Sequence, residues 1–297
     1  MIEAVNVVKR FDGFAALNQF NMNVPAGSVY GLIGPNGAGK STIIRHITGI
    51  YRPDSGEVTI DGSPVYENND IKKRIGYIAD EVFFFPQATT ADMARFYKGI
   101  YPRFDPARFE KLKSAFEISA DQPIRKLSRG QQKQSAFWTV LAIHPEILIL
   151  DEPVDGLDPV MRRQIWSLLL DEVAAEGTTI LVSSHNLREL EDVCDHVGII
   201  QKGSMMLERD LTELQDQIVK IQVVLPEEAD IPVDLPLVHM SSSGNLKELI
   251  FRCDRETALD RFKMLSPAYL EAVPLSLEEI FIHELGGVGY GVENILL

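Results

Sequence analysis

The sequence predicts an α/β fold with a mostly parallel central sheet, and two observations support this prediction. Short apolar runs at 29–33, 75–78, 147–150 and 178–183 lack the alternation of half-exposed strands, as is typical of strands buried on both faces. Stretches with helical spacing lie between these runs along the chain. With 297 residues, the chain is long enough for one large domain or two smaller ones.

The first domain is predicted to span residues 1–210. It opens with an antiparallel β subdomain, in which strands at 2–8, 20–24 and 57–60 are expected and residues 9–13 form a turn. Apolar residues at helical spacing between 90 and 126 predict helices, which Pro102 and Pro106 divide. Residues from about 88 to 144 are therefore expected to form a helical subdomain. Near the end of the domain, a helix at 187–193 and a hairpin at 197–208 are predicted.

The composition of the chain changes after residue 210, where three prolines (Pro226, Pro232 and Pro236) separate short apolar runs. Residues 211–297 are predicted to form a small α+β domain. Its strands are expected at 219–225, 238–242, 246–252 and 269–273, and its helices at 255–265 and 276–285.

The charge balance of the chain argues against a nucleic-acid partner. The formal net charge is −14, whereas binding to phosphate backbones depends on clustered cations.

The two cysteines, Cys194 and Cys253, lack the spacing of metal ligands. No apolar run is long enough to cross a bilayer, and the N-terminus lacks the features of a signal peptide. We therefore expect a cytoplasmic protein whose role at a membrane, if any, depends on a partner.

A glycine-rich loop between the run at 29–33 and a predicted helix at 42–48 is the strongest motif in the chain. Its glycines allow a tight turn in which successive N–H groups face an anion. The lysine of the pattern reaches the β- and γ-phosphates of a nucleotide, and the following hydroxyl binds Mg²⁺. The pattern predicts a P-loop NTPase fold that binds ATP and Mg²⁺. The loop comprises Gly34, Pro35, Asn36, Gly37, Ala38, Gly39, Lys40, Ser41 and Thr42.

Polar residues that follow three other apolar runs complete the predicted site. Asp151 ends the run at 147–150 and is a candidate ligand for Mg²⁺, while Glu152 is placed to act as general base on the attacking water. Asp80 follows the run at 75–78, and His185 follows the run at 178–183. Because ligands gather at the carboxyl ends of parallel strands, these residues are expected to meet the phosphate loop, with His185 at the γ-phosphate.

The segment Leu127-Ser128-Arg129-Gly130-Gln131 resembles the signature sequence of the ABC-transporter ATPases. Together with the phosphate loop, Asp151, Glu152 and His185, it matches that family in order and spacing over residues 1–210. Ser128 and Gln131 also form the pattern of a capping box at the start of a helix.

The resemblance implies a head-to-tail dimer of ATPase subunits, either a homodimer or a heterodimer, that encloses two ATP molecules. In such a dimer Ser128, Gly130 and Gln131 of one subunit would contact the γ-phosphate bound by the other, and Asp158 would face the opposite subunit. Phe11 matches the aromatic residue that stacks on adenine.

Two positions depart from the family pattern. Asp80 stands where members usually have glutamine, so it adds a negative charge near the phosphates while keeping an oxygen ligand for a metal-bound water. Arg129 replaces one residue of the usual Gly-Gly pair, but Gly130, the other, still permits close approach of the backbone to phosphate.

The resemblance also implies a partner, because family members of this kind serve a separate integral membrane permease. Residues 83–86 (Phe-Phe-Phe-Pro) lie where the family docks that permease, and residues 277–281 resemble the end of exporter ATPases. The expected protein is thus the ATPase subunit of an exporter, held at the inner face of the membrane by its permease. Two alternatives stay open, namely a non-transport ABC ATPase and a regulatory subunit with weak turnover.

Overall fold

The computed structural model describes residues 1–116, 118–211, 213, 217–226 and 231–280. It divides into two compact units, the first of which comprises Met1–His185 and Val193–Glu208. The second comprises Asn186–Asp192 and the chain from Arg209 onward.

The first unit contains two sheets and the helices that pack on them. Its elements, in chain order, are β1 (Ile2–Phe11), β2 (Phe14–Val24), β3 (Val29–Ile33), α1 (Lys40–Ile47), β4 (Ser55–Ile60), β5 (Ser63–Pro64), α2 (Asn69–Lys72), β6 (Ile75–Ile78), α3 (Thr90–Ile100), α4 (Pro106–Leu112), α5 (Arg129–Leu141), β7 (Ile147–Asp151), α6 (Pro159–Glu176), β8 (Thr179–Ser184), β9 (His196–Gln201) and β10 (Ser204–Asp210), whose first five residues belong to this unit.

The central sheet has the strand order β10-β9-β3-β8-β7-β6. Its strands pair in parallel from β9 through β3, β8 and β7 to β6. Every residue of β3, β7 and β8 is buried, which explains their continuous apolar sequences. The α/β prediction with a mostly parallel core is confirmed. Because β3, β6, β7 and β8 run in one direction, the loops that follow them leave the same edge of the sheet.

The N-terminal sheet is antiparallel, as predicted, and has the order β2-β1-β4-β5. The expected turn at 9–13 was too long. The backbones of Lys9, Arg10 and Phe11 still pair with β2, and only Asp12 and Gly13 turn, both with positive φ. A two-residue turn with this backbone matches the twist of a hairpin, so both strands extend further than the sequence pattern suggested.

The helical region between β6 and β7 contains α3, α4 and α5, with single helical turns at Lys113–Ala115 and Ile124–Lys126. Pro106 occupies the first turn of α4 and Asp105 caps it, which is the favoured position for proline in a helix. The predicted division of this region by prolines is confirmed.

The second unit contains a four-stranded antiparallel sheet of order β12-β13-β11-β14. Its core includes Ile221, Phe251 and Phe262. The predicted helix at 187–193 is wrong, because the hydrogen bonds from Glu189 to Asn186 and from Leu190 to Leu187 close only one turn. Residues 277–280 are helical, and the rest of the helix predicted at 276–285 lies outside the described residues. The remaining elements are β11 (Val219–Val224), β12 (Leu237–Ser243), β13 (Leu246–Phe251), α7 (Arg255–Lys263) and β14 (Tyr269–Val273).

Candidate functional site

The loop between β3 and α1 has the backbone of an anion-binding site. Gly37 and Gly39 take φ values of 79° and 114°, which disfavour any residue with a Cβ. A Cβ on Gly39 would lie 2.8 Å from the carbonyl oxygen of Ala16, so the loop packs closely on the N-terminal sheet. Gly39 precedes α1 without a side-chain cap, and the first turn holds no acidic residue. The N–H groups at this helix start are therefore available to phosphate.

Lys40 points back into this loop and is buried. Its Nζ atom donates to the carbonyl oxygen of Gly34 at 2.5 Å and pairs with Oε1 of Glu152 at 3.2 Å. The other carboxylate oxygen of Glu152, Oε2, lies 2.9 Å from Nδ1 of His185. The structure thus brings together three residues that the sequence placed after different strands, with Glu152 bridging a lysine and a histidine.

Asp151 lies at the end of β7 and is buried. One of its oxygens accepts a hydrogen bond from the Ser183 hydroxyl at 2.5 Å. The sequence analysis did not single out Ser183, although a serine at the end of an apolar strand was the available signal. A carboxylate oxygen is a ligand type that Mg²⁺ takes in proteins, so Asp151 keeps the chemistry that the sequence analysis expected of it. Among the described residues, no group of three or more His, Cys, Asp or Glu side chains forms a cation site by itself.

Asp80 lines the same cleft as the phosphate loop and Glu152. Partial burial raises the pKa of Asp80, the Lys133 ammonium group lowers it, and the charges of Asp151 and Glu152 raise it further. The Lys133 Nζ atom lies 3.8 Å from Oδ1 of Asp80. The predicted placement of Asp80 beside the phosphates fits this geometry, and Lys133 is a neighbour that the sequence did not reveal.

The outer end of the cleft is aromatic. Phe11 and Phe14 both line it and both are exposed. The Phe11 ring meets that of Tyr51 edge-on with centroids 5.5 Å apart, which leaves part of its surface open. Phe14 was not predicted to take part, but the Asp12-Gly13 hairpin turn brings it beside Phe11. The cleft measures about 320 Å³, near the lower limit for small-molecule sites.

The signature segment forms a separate groove at the start of α5. The Ser128 hydroxyl accepts from the Gln131 N–H at 3.3 Å, and the Gln131 side chain accepts from the Ser128 N–H at 3.0 Å. The predicted capping box is therefore confirmed. Asp158 caps α6 through bonds from Val160 and Met161. The lining residues are Ser128, Arg129, Gly130, Gln131, Gln134, Gly156, Leu157, Asp158 and Met161, none of which lines the phosphate-loop cleft.

Comparison with known proteins decides the family. A family model described as ABC transporter matches residues 17–155. The ABC transporter ATP-binding protein YtrB of Bacillus subtilis is 31% identical over 290 residues, which cover 97% of this chain and 99% of YtrB. The chain belongs to the ABC transporter ATP-binding proteins.

Further relatives of this ABC protein agree with the assignment. The Nod factor export ATP-binding protein I of Burkholderia lata is 29% identical over 296 residues, covering 96% of this chain and 97% of the relative. The dimeric structure of MJ0796, a bacterial ABC transporter cassette, superposes with a TM-score of 0.66 at 25% identity. The superposed region covers 71% of this chain and 99% of the cassette. The fold and the family predicted from the sequence are both confirmed.

Family membership assigns the activity in general terms. The chain is the ATP-binding subunit of an ABC transporter, and ATP hydrolysis is its reaction. Within the described part of the chain, no helix combines the length and apolarity needed to cross a membrane.

Proposed function

We propose that the subunit binds ATP in the phosphate-loop cleft and hydrolyses it when the signature groove of a second ATPase subunit closes the site. The backbone from Gly34 to Thr42 and the Lys40 ammonium group would hold the β- and γ-phosphates. Phe11 would stack on adenine. The observation that carries the proposal is the meeting of Lys40, Glu152 and His185 at one edge of the sheet.

The proposed metal ligands are Ser41 and Asp151 directly and Asp80 through a water molecule. When bound with ATP, Mg²⁺ supplies positive charge that neutralises the phosphate oxygens. Ser183 has its own part in this arrangement, because its hydroxyl bond fixes the orientation of the Asp151 carboxylate.

Glu152 is proposed as general base. It takes a proton from a water molecule whose oxygen attacks the γ-phosphorus, while the bond to the β–γ bridging oxygen breaks and ADP leaves. His185 contacts the γ-phosphate. Because Lys40 pairs with Glu152 in the present structure, ATP would compete for the lysine and release the carboxylate toward water.

The signature groove is proposed to complete the site of a partner subunit. Ser128, Gly130 and Gln131 present the start of α5 to an anion, and Asp158 lies beside them at the start of α6. In one chain the groove and the phosphate-loop cleft share no lining residue, which supports a groove that serves the γ-phosphate of a partner subunit. A homodimer and a heterodimer both satisfy this geometry.

An exposed apolar patch supports docking to an integral membrane permease. Phe83 is 83% exposed, and Phe85, Phe96 and Ile100 are also exposed. Phe84, in contrast, packs against the small core around Met93, so the sequence Phe83-Phe84-Phe85 divides between surface and interior. The Phe85 and Phe96 rings meet edge-on with centroids 4.8 Å apart, and exposed apolar surface supports an interaction site here. Through it the subunit would lie at the inner face of the cell membrane.

Export is the proposed direction of transport. The support is the full-length similarity to a Nod factor export ATP-binding protein.

A regulatory subunit with weak turnover is the second candidate, and Asp80 in place of the usual glutamine favours it. The turnover of the purified wild-type protein distinguishes the two.

Size-exclusion chromatography of Glu152→Gln with and without Mg-ATP tests the proposal. We expect retained ATP binding, an ATP-dependent dimer and a loss of turnover of about 100-fold or more, as for removal of a general base. Glu110→Gln, at an exposed position of α4, is the matched control and should behave as wild type. Wild-type turnover by Glu152→Gln would refute the role of this residue. A variant that binds ATP without dimerising would refute the homodimer and direct the search to a different partner subunit.

A further inference from the structure

Lys133 is a buried lysine that the proposed hydrolysis does not use. It lies in the second turn of α5, and only 7% of its surface is exposed. Burial lowers the pKa of Lys133, whereas nearby carboxylates, that of Asp80 foremost, raise it. Burying an ammonium group is unfavourable unless its donors find acceptors. Its contacts therefore indicate what the residue does.

The Lys133 ammonium group holds the segment that follows β7. Its Nζ atom donates to the carbonyl oxygen of Glu152 at 2.7 Å and to that of Asp155 at 2.9 Å. Both acceptors belong to the turn that carries the proposed general base. One side chain thus joins the signature helix to the two ends of this turn.

The backbone of Glu152 requires such support. Its φ of 48° lies in the left-handed region, which is unfavourable for a residue with a Cβ and persists only where the surroundings enforce it. The Glu152 N–H donates to the carbonyl and hydroxyl oxygens of Ser183, each at 3.2 Å. Ser183 therefore fixes the amide of Glu152 from β8, and Lys133 fixes its carbonyl from α5. Together they determine where the carboxylate points.

Lys133 also faces Asp80, one of the two residues that depart from the family pattern. Its Nζ atom lies 3.8 Å from Oδ1 of Asp80, and both residues line a cavity that adjoins the signature segment. Asp80 places a third carboxylate beside Asp151 and Glu152, where a polyphosphate is expected. A cation at this distance offsets part of that negative charge.

We propose that Lys133 is a positioning residue for ATP hydrolysis, which fixes the left-handed backbone of Glu152 and offsets the charge of Asp80. The inference rests on the proposed role of Glu152 as general base. Lys133 is not among the residues that line the phosphate-loop cleft. Its loss should therefore slow the chemical step and leave nucleotide affinity nearly unchanged.

Lys133→Met tests the positioning role, because methionine keeps the apolar stem and removes the charge and the donors. Steady-state ATPase assays are paired with titration of a fluorescent ATP analogue. We expect kcat to fall by about 10- to 100-fold, as for misplacement of a catalytic group, with the dissociation constant of the analogue within about threefold of wild type. Lys133→Arg, which keeps charge and donors, should recover part of the turnover. The matched control is Lys111→Met at an exposed position of α4.

The double variant Asp80→Asn, Lys133→Met tests whether the Lys133 ammonium group offsets the negative charge of Asp80. Removing the unopposed carboxylate should raise turnover about threefold above that of Lys133→Met alone. A double variant no faster than Lys133→Met would refute this part of the inference.

Wild-type turnover by Lys133→Met, or an equal loss of turnover and affinity, would overturn the positioning role and leave the proposed function standing. Wild-type protein that neither binds nor hydrolyses ATP would overturn the proposed function itself. If circular dichroism shows that Lys133→Met is unfolded, Lys133→Gln takes its place in the same comparison, with the same outcomes.

Discussion

The phosphate-loop cleft and the signature groove both present a helix start to an anion, but they differ in what their side chains already bind. In the cleft, Lys40, Glu152 and His185 form a chain of charged contacts that a nucleotide can rearrange. In the groove, Ser128 and Asp158 cap their own helices, and Arg129 is the cationic residue that lines the cavity. The cleft therefore holds a cation that a bound nucleotide can use, whereas in the proposed dimer the groove would offer backbone dipoles and the Arg129 guanidinium to the phosphate of another subunit.

This difference leads to separate expectations for the two regions. Changes in the cleft should alter the affinity of a single subunit for ATP. Changes in the groove should leave that affinity intact and affect dimerisation and turnover.

Lys40→Met should have the largest effect on affinity. It removes the buried cation that faces the phosphates and leaves the Glu152 carboxylate without that partner. A hydrogen bond between charged groups contributes about 1.5–3 kcal/mol, so affinity for a fluorescent ATP analogue should fall by up to about 100-fold. Lys113→Met, at an exposed position after α4, provides the control. Unchanged affinity would show that the loop backbone alone binds the phosphates.

Gly130→Asp should act on turnover and not on single-subunit affinity. A Cβ at Gly130 would meet only ordinary contacts, the nearest being Leu157 at 3.4 Å, so the variant should fold. Its carboxylate would occupy the helix start that a phosphate is expected to approach. We expect ATP turnover to fall by about tenfold or more, since a like charge at an interface costs more than 1.4 kcal/mol.

Gly130→Ala is the matched control for the added charge, because it introduces the Cβ alone and should lose less turnover. Weaker ATP binding by monomeric Gly130→Asp would contradict the separation between groove and cleft.

Phe11→Ala should produce the smallest change. An aromatic contact is worth about 0.5–1.5 kcal/mol, which corresponds to a loss of ATP affinity of about 2- to 12-fold. Equilibrium titration of Phe11→Ala and Phe14→Ala in parallel shows which ring faces adenine. If only Phe14→Ala weakens binding, the residue that stacks on adenine is Phe14 and not Phe11.

The parts of the fold predicted well are those set by local pattern and burial. The strand at 29–33 was predicted with the boundaries that β3 has, because its residues are apolar without interruption and a glycine-rich loop follows. The capping box of Ser128 and Gln131 could also be predicted from the sequence, because its two hydrogen bonds join residues that are only three positions apart.

The parts that were missed depend on contacts between distant segments. Ser183 matters because β8 lies beside β7 in the sheet, which places its hydroxyl against Asp151. Lys133 matters because α5 packs near the turn after β7, and nothing at position 133 in the sequence indicates those acceptors. The helix predicted at 187–193 was wrong for a local reason. The apolar spacing extends over seven residues, whereas the backbone hydrogen bonds from Glu189 and Leu190 close only one helical turn.

The order of strands in the central sheet has a consequence for how the protein is made. The strand before the phosphate loop, β3, emerges early in synthesis, yet its two neighbours are β8 and β9, which begin at Thr179 and His196. Pairings between segments so far apart form slowly, and the unpaired strand stays exposed while the chain grows. A nascent chain released before His196 would therefore carry every residue of the loop from Gly34 to Thr42 but lack a strand on one side of β3 to support it.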